Sequence, residues 1–201
     1  MMNRFFLLII CVLCSVAASA QDIPLPEPIR TGGMPLMDAL SNRQTVRAYS
    51  DKAIEPQTLA NLLWAAYGFN RENKRVVPSS QDRQEIDLYV VVKEGIYLYD
   101  AKVNKLLLRV KGDHRKDTGS QDFVAGAPLN FLFVANLDKA SNRDAACTDC
   151  GFISQNIYLF CASEKMASVV RGSVNKANMH KILQLTAKQE VLLAQTVGFP
   201  K

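Results

Sequence analysis

The residues in this 201-residue sequence best suited to chemistry are two arginines four apart, Arg43 and Arg47, in the stretch Ser41-Asn42-Arg43-Gln44-Thr45-Val46-Arg47-Ala48-Tyr49. They follow the apolar run Met34-Pro35-Leu36-Met37-Asp38-Ala39-Leu40. If the segment is helical, the two share a face about one turn apart. Guanidinium groups held that way make a fork for a phosphate, because each offers paired donors and a charge that never titrates away. The same pattern also describes a solvated basic helix end. Two further stretches offer related chemistry. Pro78-Ser79-Ser80 is a loop with free hydroxyls and amides, and Arg171-Gly172-Ser173 is a turn after a strand. A glycine turn lets a backbone N–H approach a planar ligand, because no Cβ intervenes. Singly, each also reads as an ordinary loop or turn.

Other chemistries lack their residues. The sequence contains no G-x-S-x-G, no Ser/His/Asp set, no H-E-x-x-H, no Walker loop and no G-x-G-x-x-G after a strand. Paired carboxylates are not visible as a motif. Cys147-Thr148-Asp149-Cys150 is a C-x-x-C, which an oxidising compartment could turn into a disulfide or a redox pair. Cys150 and Cys161 also fit as small buried residues three turns apart on one helix. With Cys147 they make three thiols without a nearby histidine, too few for a zinc or iron–sulfur site. His114 and His180 read as surface histidines.

The positioning elements follow from periodicity. A first helix spans 36–42. A second opens at Glu55-Pro56, with Leu59, Leu62, Leu63 and Ala66 on one face. Residues 71–75 read as a charged loop. Runs 86–92, 96–99 and 106–110 are rich in β-branched, aromatic and leucine residues and read as an antiparallel meander. A short helix over 121–126, a buried strand over 129–135 and a long helix within 142–165 follow. Gln155-Asn156 places an amide pair inside that long helix, where burial demands partners. Strands over 166–170 and 191–197 flank a last helix over 174–183. Helices and strands mix without strict βαβ alternation, which indicates an α+β fold: a three-layer sandwich, its mixed or antiparallel central sheet carrying helices on both faces.

Composition fits one domain of 34–201 behind an elaborated N-terminus, with 48% hydrophobic residues, 21% charged residues and a net charge of +5. The basic residues are dispersed, so nucleic acid is not an expected partner. Residues 1–20 read as a cleaved signal peptide: Arg4, the apolar run 5–14, and Ala18-Ser19-Ala20 ahead of Gln21. The apolar run is short for a membrane span. Leu13 is bulky for the residue before a lipidated cysteine, so Cys14 is not expected to be a lipoprotein acceptor. Cleavage removes Arg4 and leaves 23 basic against 19 acidic residues, a net of +4. The expected address is extracytoplasmic, periplasmic after cleavage. Residues 21–33, with Pro24, Pro26, Pro28 and Gly32-Gly33, form an extended arm over a surface or a partner subunit.

The order of these stretches resembles the nitroreductase family of flavin mononucleotide (FMN) enzymes. The resemblance runs from about Met34 to Pro200. It rests on the 41–49 stretch, Leu62-Leu63-Trp64-Ala65-Ala66-Tyr67-Gly68, Val77-Pro78-Ser79-Ser80, the run from Asp149 through Gln155-Asn156 to Leu159, Val169-Val170-Arg171-Gly172-Ser173, and Val197-Gly198-Phe199-Pro200. The compact size and the Leu-Leu-Trp run are similar to the dehydrogenases of azoline-forming peptide maturation.

The resemblance implies a homodimer with FMN in the subunit interface. Arg43, Gln44, Thr45 and Arg47 match positions that hold the phosphate and pyrimidine side of FMN. Pro78, Ser79 and Ser80 match the loop that the partner lays against the flavin ring, and Gln84 matches an amide contact after it. Arg171, Gly172 and Ser173 match the turn whose N–H faces flavin N5. The helix carrying Gln155-Asn156 matches the dimer core. Family members often carry basic residues beyond the terminal turn that clamp the phosphate; here either Lys201 supplies that charge or FMN is held less tightly. The implied activity is ping-pong hydride or electron transfer through N5, from NAD(P)H or a quinol to an unassigned acceptor, with Arg47 a candidate cation near the flavin N1/O2 edge. No catalytic side chain is named. The alternative is a non-catalytic extracytoplasmic flavin-binding or interaction module on the same fold.

Overall fold

The computed structural model of the protein describes residues 21–201, so the signal segment 1–20 and Cys14 lie outside the described residues. In chain order the first elements are β1 (Ile23–Pro24), α1 (Leu36–Asn42), α2 (Pro56–Tyr67), β2 (Phe69–Arg71) and β3 (Lys74–Arg75). Next come β4 (Ile86–Val92), β5 (Gly95–Asp100), β6 (Lys105–Lys111), α3 (Phe123–Gly126) and β7 (Leu129–Asn136). The chain closes with α4 (Arg143–Ser163), β8 (Ala167–Arg171), α5 (Lys176–Ile182) and β9 (Gln189–Gly198).

One sheet of seven strands, ordered β1-β6-β5-β4-β7-β9-β8, organises the molecule, and every ladder in it is antiparallel. Strand alternation sends side chains to opposite faces. On β7, Leu129, Phe131, Phe133 and Ala135 join one core with α2 and α4, while Leu132 and Val134 join the other beneath Met179 of α5. That two-faced burial explains the continuous apolar run. The fold is α+β with helices on both faces.

Pro56 sits in the first turn of α2, where its missing N–H leaves no helical bond unmade. The buried stripe Leu62, Leu63 and Ala66 packs on α4. The Asn142 side chain caps α4 by accepting the Ala145 N–H at 2.8 Å. Ala146, Cys150, Ile153, Ile157 and Cys161 then recur at helical spacing on the buried face. Cys150 and Cys161 are free and buried, as expected, and Cys147 is free and half-buried. Asn156 spans the two helices, its Nδ2 donating to the Ala65 carbonyl at 2.8 Å.

One local expectation changes. Residues 71–75 are not a loop: β2 and β3 pair as a small hairpin whose turn residue, Asn73, has φ 55°. An alternation of charged residues hid it, since both faces of so small a ribbon meet water. The proline arm packs on its own subunit. Ile23 and Pro24 pair with Leu106 and Lys105 on the sheet edge, and the Asn104 side chain donates to the Leu25 and Pro26 carbonyls. Proline suits this edge position because it has no N–H to place in a ladder.

Candidate functional site

Helix α1 ends at Asn42, with the Arg43 N–H bonded to the Ala39 carbonyl at 2.9 Å. Arg43 and Arg47 therefore do not share a helical face. The backbone of Arg43 turns extended (φ −59°, ψ 119°), and the segment runs beside β8 and β9. The Val46 N–H bonds the Ser168 carbonyl at 3.0 Å, Tyr49 bridges Pro200, and the Lys201 N–H bonds the Ala48 carbonyl at 3.3 Å. Pairing with the sheet edge outcompetes one more helical turn, and the β-branched Thr45 and Val46 suit it. Arg43 and Thr45 nonetheless reach the same partner, Tyr158 of α4.

Tyr158 of α4 organises this side. Its ring lies 5.5 Å from the Arg43 guanidinium carbon, close enough for a cation–π contact. Its hydroxyl accepts the Val170 N–H at 2.9 Å and sits 3.2 Å from the Thr45 hydroxyl. With one lone pair engaged by Val170, the Tyr158 O–H is free to donate to Thr45. Gln44 goes elsewhere: with Val46, Tyr158 and Lys165 it lines a cleft of about 270 Å³. Arg43, Arg47 and Lys201 make no salt bridge among the described residues. The Lys201 backbone is brought alongside Ala48, the residue after Arg47.

The Arg171-Gly172-Ser173 turn adjoins this cluster through Val170 and divides its roles. Gly172 and Ser173 are exposed, but the Arg171 side chain is buried at 4% exposure. Its Nε donates to Thr196 Oγ1 at 3.0 Å, Nη1 to the Thr118 carbonyl at 3.0 Å, and Nη2 to Asn130 Oδ1 at 3.1 Å. The guanidinium thus anchors the turn from within, and its backbone is what faces outward. No carboxylate neutralises it, and burial pulls its pKa down to about 10. Gly119 makes room, since a Cβ there would stand 2.1 Å from Nη1.

The Pro78-Ser79-Ser80 loop lies elsewhere in the protomer. Pro78 is exposed and the two serines half-buried. Ser79 Oγ accepts the Gln84 N–H at 3.0 Å, and the Ser80 N–H donates to Asp149 Oδ2 at 2.8 Å. The Gln84 side chain is occupied within the β2–β3 region. Its Oε1 accepts from Arg75 Nε at 3.2 Å and its Nε2 donates to the Asn73 carbonyl at 2.8 Å. Arg75 itself stacks between Tyr67 and Phe69, 3.9 and 4.3 Å from their ring centres. This loop meets α4 at Asp149, whereas the cationic cluster meets it at Tyr158. Nine residues of helix separate the two by about 13 Å.

Two participants escaped the sequence reading. Tyr158 lies within the 149–159 run, but the sequence reading gave it no role of its own. Glu85 and Asp149 form a buried carboxyl pair, although 64 positions separate them; no spacing rule links them, but a charged residue opening the apolar strand β4 was a signal.

Comparison with known proteins identifies the family. The sequence model described as "Nitroreductase family" matches residues 40–199. A protein of Methanocaldococcus jannaschii, MJ1384, named as a nitroreductase, is 27% identical over 180 residues, covering 81% of this chain and 90% of that one. A crystal structure described as a nitroreductase from Ralstonia eutropha superposes with a TM-score of 0.86 at 37% identity, covering 92% of both chains. A Desulfovibrio desulfuricans nitroreductase crystallised with FMN shares the fold, with a TM-score of 0.64 at 20% identity over 84% of this chain and 88% of that one. With matching running from α1 to the last residues of the chain, this protein belongs to the nitroreductase family.

Proposed function

We propose that the chain is an FMN-dependent oxidoreductase that works as a homodimer. The observation that carries this reading is the division of the site: within one protomer, the cationic cluster and the Pro78-Ser79-Ser80 loop stand about 13 Å apart along α4. In this reading the flavin takes its phosphate contacts from one copy and the loop from the other. The residues present fit such a cofactor. Arg43 and Arg47 are cations without salt bridges among the described residues, Lys201 is beside them, and Arg171 lies behind with only neutral partners. A phosphate supplies the missing negative charge. The FMN complex of the Desulfovibrio desulfuricans relative supports the same reading.

FMN, when bound, supplies the hydride and electron chemistry. Arg43 and Arg47 hold the phosphate, with Tyr158 and Thr45 fixing the segment that carries them. Arg171 holds the turn so that the Gly172 and Ser173 backbone faces the ring. Pro78 and Ser79 of the second copy close the opposite side against water. Exposed Leu36, Met37, Leu40 and Phe152 give that copy an apolar seat.

The electron donor in this proposal is NAD(P)H or a quinol. Residues 1–20 favour an extracytoplasmic address after signal-peptide cleavage, and a quinol or a redox protein suits that address better. An absorbance spectrum of the purified protein tests the cofactor: a flavin spectrum bleached by dithionite is expected. A colourless protein whose Tm does not rise with added FMN would overturn the reading; a hundredfold excess over Kd stabilises by about 2.7 kcal/mol.

A further inference from the structure

Glu85 follows the Pro78–Gln84 loop directly and precedes β4. Its side chain is 1% exposed, and neither carboxyl oxygen meets a donor in hydrogen-bonding geometry. The side chain it faces is another buried carboxyl, Asp149 of α4, at 4% exposure. Asp149 is already committed to the loop through the Ser80 N–H at 2.8 Å. Burial and the neighbouring carboxyl both disfavour an anion on Glu85. One proton between them resolves the conflict, with a Glu85 O–H donating to Asp149.

We propose that Glu85 and Asp149 share one proton and that this pair latches loop 78–84 to α4, so that ionisation of the pair releases the loop.

The loop itself favours release. Gln81, Asp82 and Gln84 all stand in the left-handed region, with φ of 53°, 55° and 50°. Such conformations persist only where the surroundings hold them. One cation, Arg83, acts on Glu85 against the shared proton. Arg83, on the loop, turns its guanidinium to Gln81 Oε1 and the Lys139 carbonyl. Tyr67, on α2, keeps a buried hydroxyl without a partner, and Arg75 stacks on its ring. Asp87, on β4, lies beyond Tyr67. Cys147 and Cys150 are the α4 thiols next to Asp149 in sequence, and burial pushes the Cys150 thiol pKa up. Burial first, and then the Asp149 carboxyl, raise the Glu85 pKa against pulls from its own backbone N–H and from Arg83.

The direction of the effect follows from that rise. Above the unfolded carboxyl range and up to its own raised pKa, folded Glu85 holds a proton that the unfolded chain has lost. The latch is therefore strongest at low pH and weakens as pH rises. It stands whether or not the loop meets a flavin, and its test reads the loop alone.

The test is trypsin cleavage after exposed Arg83 in the folded full-length protein, with exposed Lys102 in the β5–β6 turn as internal reference. Wild type is compared at each pH with Glu85→Gln, whose amide donates to Asp149 at every pH. Asp149→Asn is a second variant that keeps both contacts without the shared proton. Between about pH 6 and about pH 9.5, the Arg83/Lys102 cleavage ratio of wild type is expected to rise about fivefold or more over either variant. A ratio that runs parallel in wild type and variants overturns the latch. So does a rise at Lys102 that matches the rise at Arg83, because that reports opening of the whole sheet edge.

Discussion

Thr45 and Tyr158, 113 residues apart in the chain, meet hydroxyl to hydroxyl at 3.2 Å. Through that contact and the Val170 N–H, one tyrosine ties the arginine-bearing segment to the strand that leads into the Gly172 turn. Tyr158→Phe removes both ties and leaves the Val170 N–H without its acceptor. The expected loss of stability is about 1–3 kcal/mol, or about 2–4 °C of Tm per kcal/mol for a chain of this length. Thr45→Val removes only the first tie. Both variants should weaken FMN by about tenfold, equivalent to about 1.4 kcal/mol, while only Tyr158→Phe lowers Tm. Calorimetric titration with FMN alongside thermal melts separates the two effects; unchanged FMN affinity in both variants would remove Tyr158 from the site.

Arg43 and Arg47 should act as a pair although no helix joins them. Neither has a salt-bridge partner among the described residues, so replacing both with Gln removes charge without stranding a carboxylate. Charged hydrogen bonds contribute about 1.5–3 kcal/mol each, so the double variant should lose two or more decades of FMN affinity and purify without flavin. Wild-type affinity should also fall with added salt more steeply than the variant's, since exposed charges are screened within about 10 Å at 0.1 M. Stoichiometric FMN in the double variant, measured by absorbance after gel filtration, would refute the clamp.

Most of the architecture was legible because apolar periodicity reports burial, and burial decides which face of each element turns inward. The amphipathic stripe of α2, the meander β4–β5–β6 and the long helix all follow from it. The site was less legible, because there direction matters more than residue type. The helical spacing that grouped Arg43 with Arg47 is not adopted, because α1 ends at Asn42 and Arg43 turns extended. Arg171 sits two residues after the buried Val169, and that parity already pointed its side chain inward. Gln84 looked like a contact for a ligand, but Arg75 and Asn73 occupy it. The Glu85–Asp149 contact joins a strand to a helix across the core, and no local pattern encodes such a pairing.

Arg171 provides a test of anchoring from within. Substitution by Met fits the volume but leaves Asn130 Oδ1 and the Thr118 carbonyl without the guanidinium donors they now have. Thr196 Oγ1 still donates to Asn130 Oδ1, so the loss is partial on that side. Stranding buried acceptors costs about 1–3 kcal/mol each, offset in part because an uncompensated buried charge is removed as well. The expected net is a loss of about 2 kcal/mol together with mobility of the Gly172-Ser173 turn, seen as faster amide exchange there. Arg171→Lys reaches fewer acceptors with three donors and should show the same turn mobility with a smaller loss of Tm. Slow exchange at Gly172 and Ser173 in both variants would show that the turn does not depend on the anchor.

The apolar face of α1 is where the homodimer proposal is most exposed to test. Leu36, Met37 and Leu40 are 63%, 71% and 44% exposed, and Phe152 of α4 is 41% exposed. Of the seven residues of α1 only Ala39 is buried, so the helix contributes little to its own subunit's core. Helices this short are not stable without packing, and a cluster of large apolar side chains facing water marks a contact surface. A second copy seated here would cover the face and bring its loop to the first copy's cations. Leu40→Glu with Phe152→Glu places two charges in that contact and removes two buried side chains, each contributing about 1.5–3 kcal/mol. Dimer affinity should fall by two decades or more. Sedimentation at micromolar concentration should show a dimer for wild type and a monomer with unchanged far-UV circular dichroism for the double variant. If the site is divided between copies, that monomer should also lose FMN although Arg43, Arg47 and the Pro78-Ser79-Ser80 loop are untouched. A monomer that keeps its flavin would place the whole site within one chain, and an unchanged dimer would place the interface on another face.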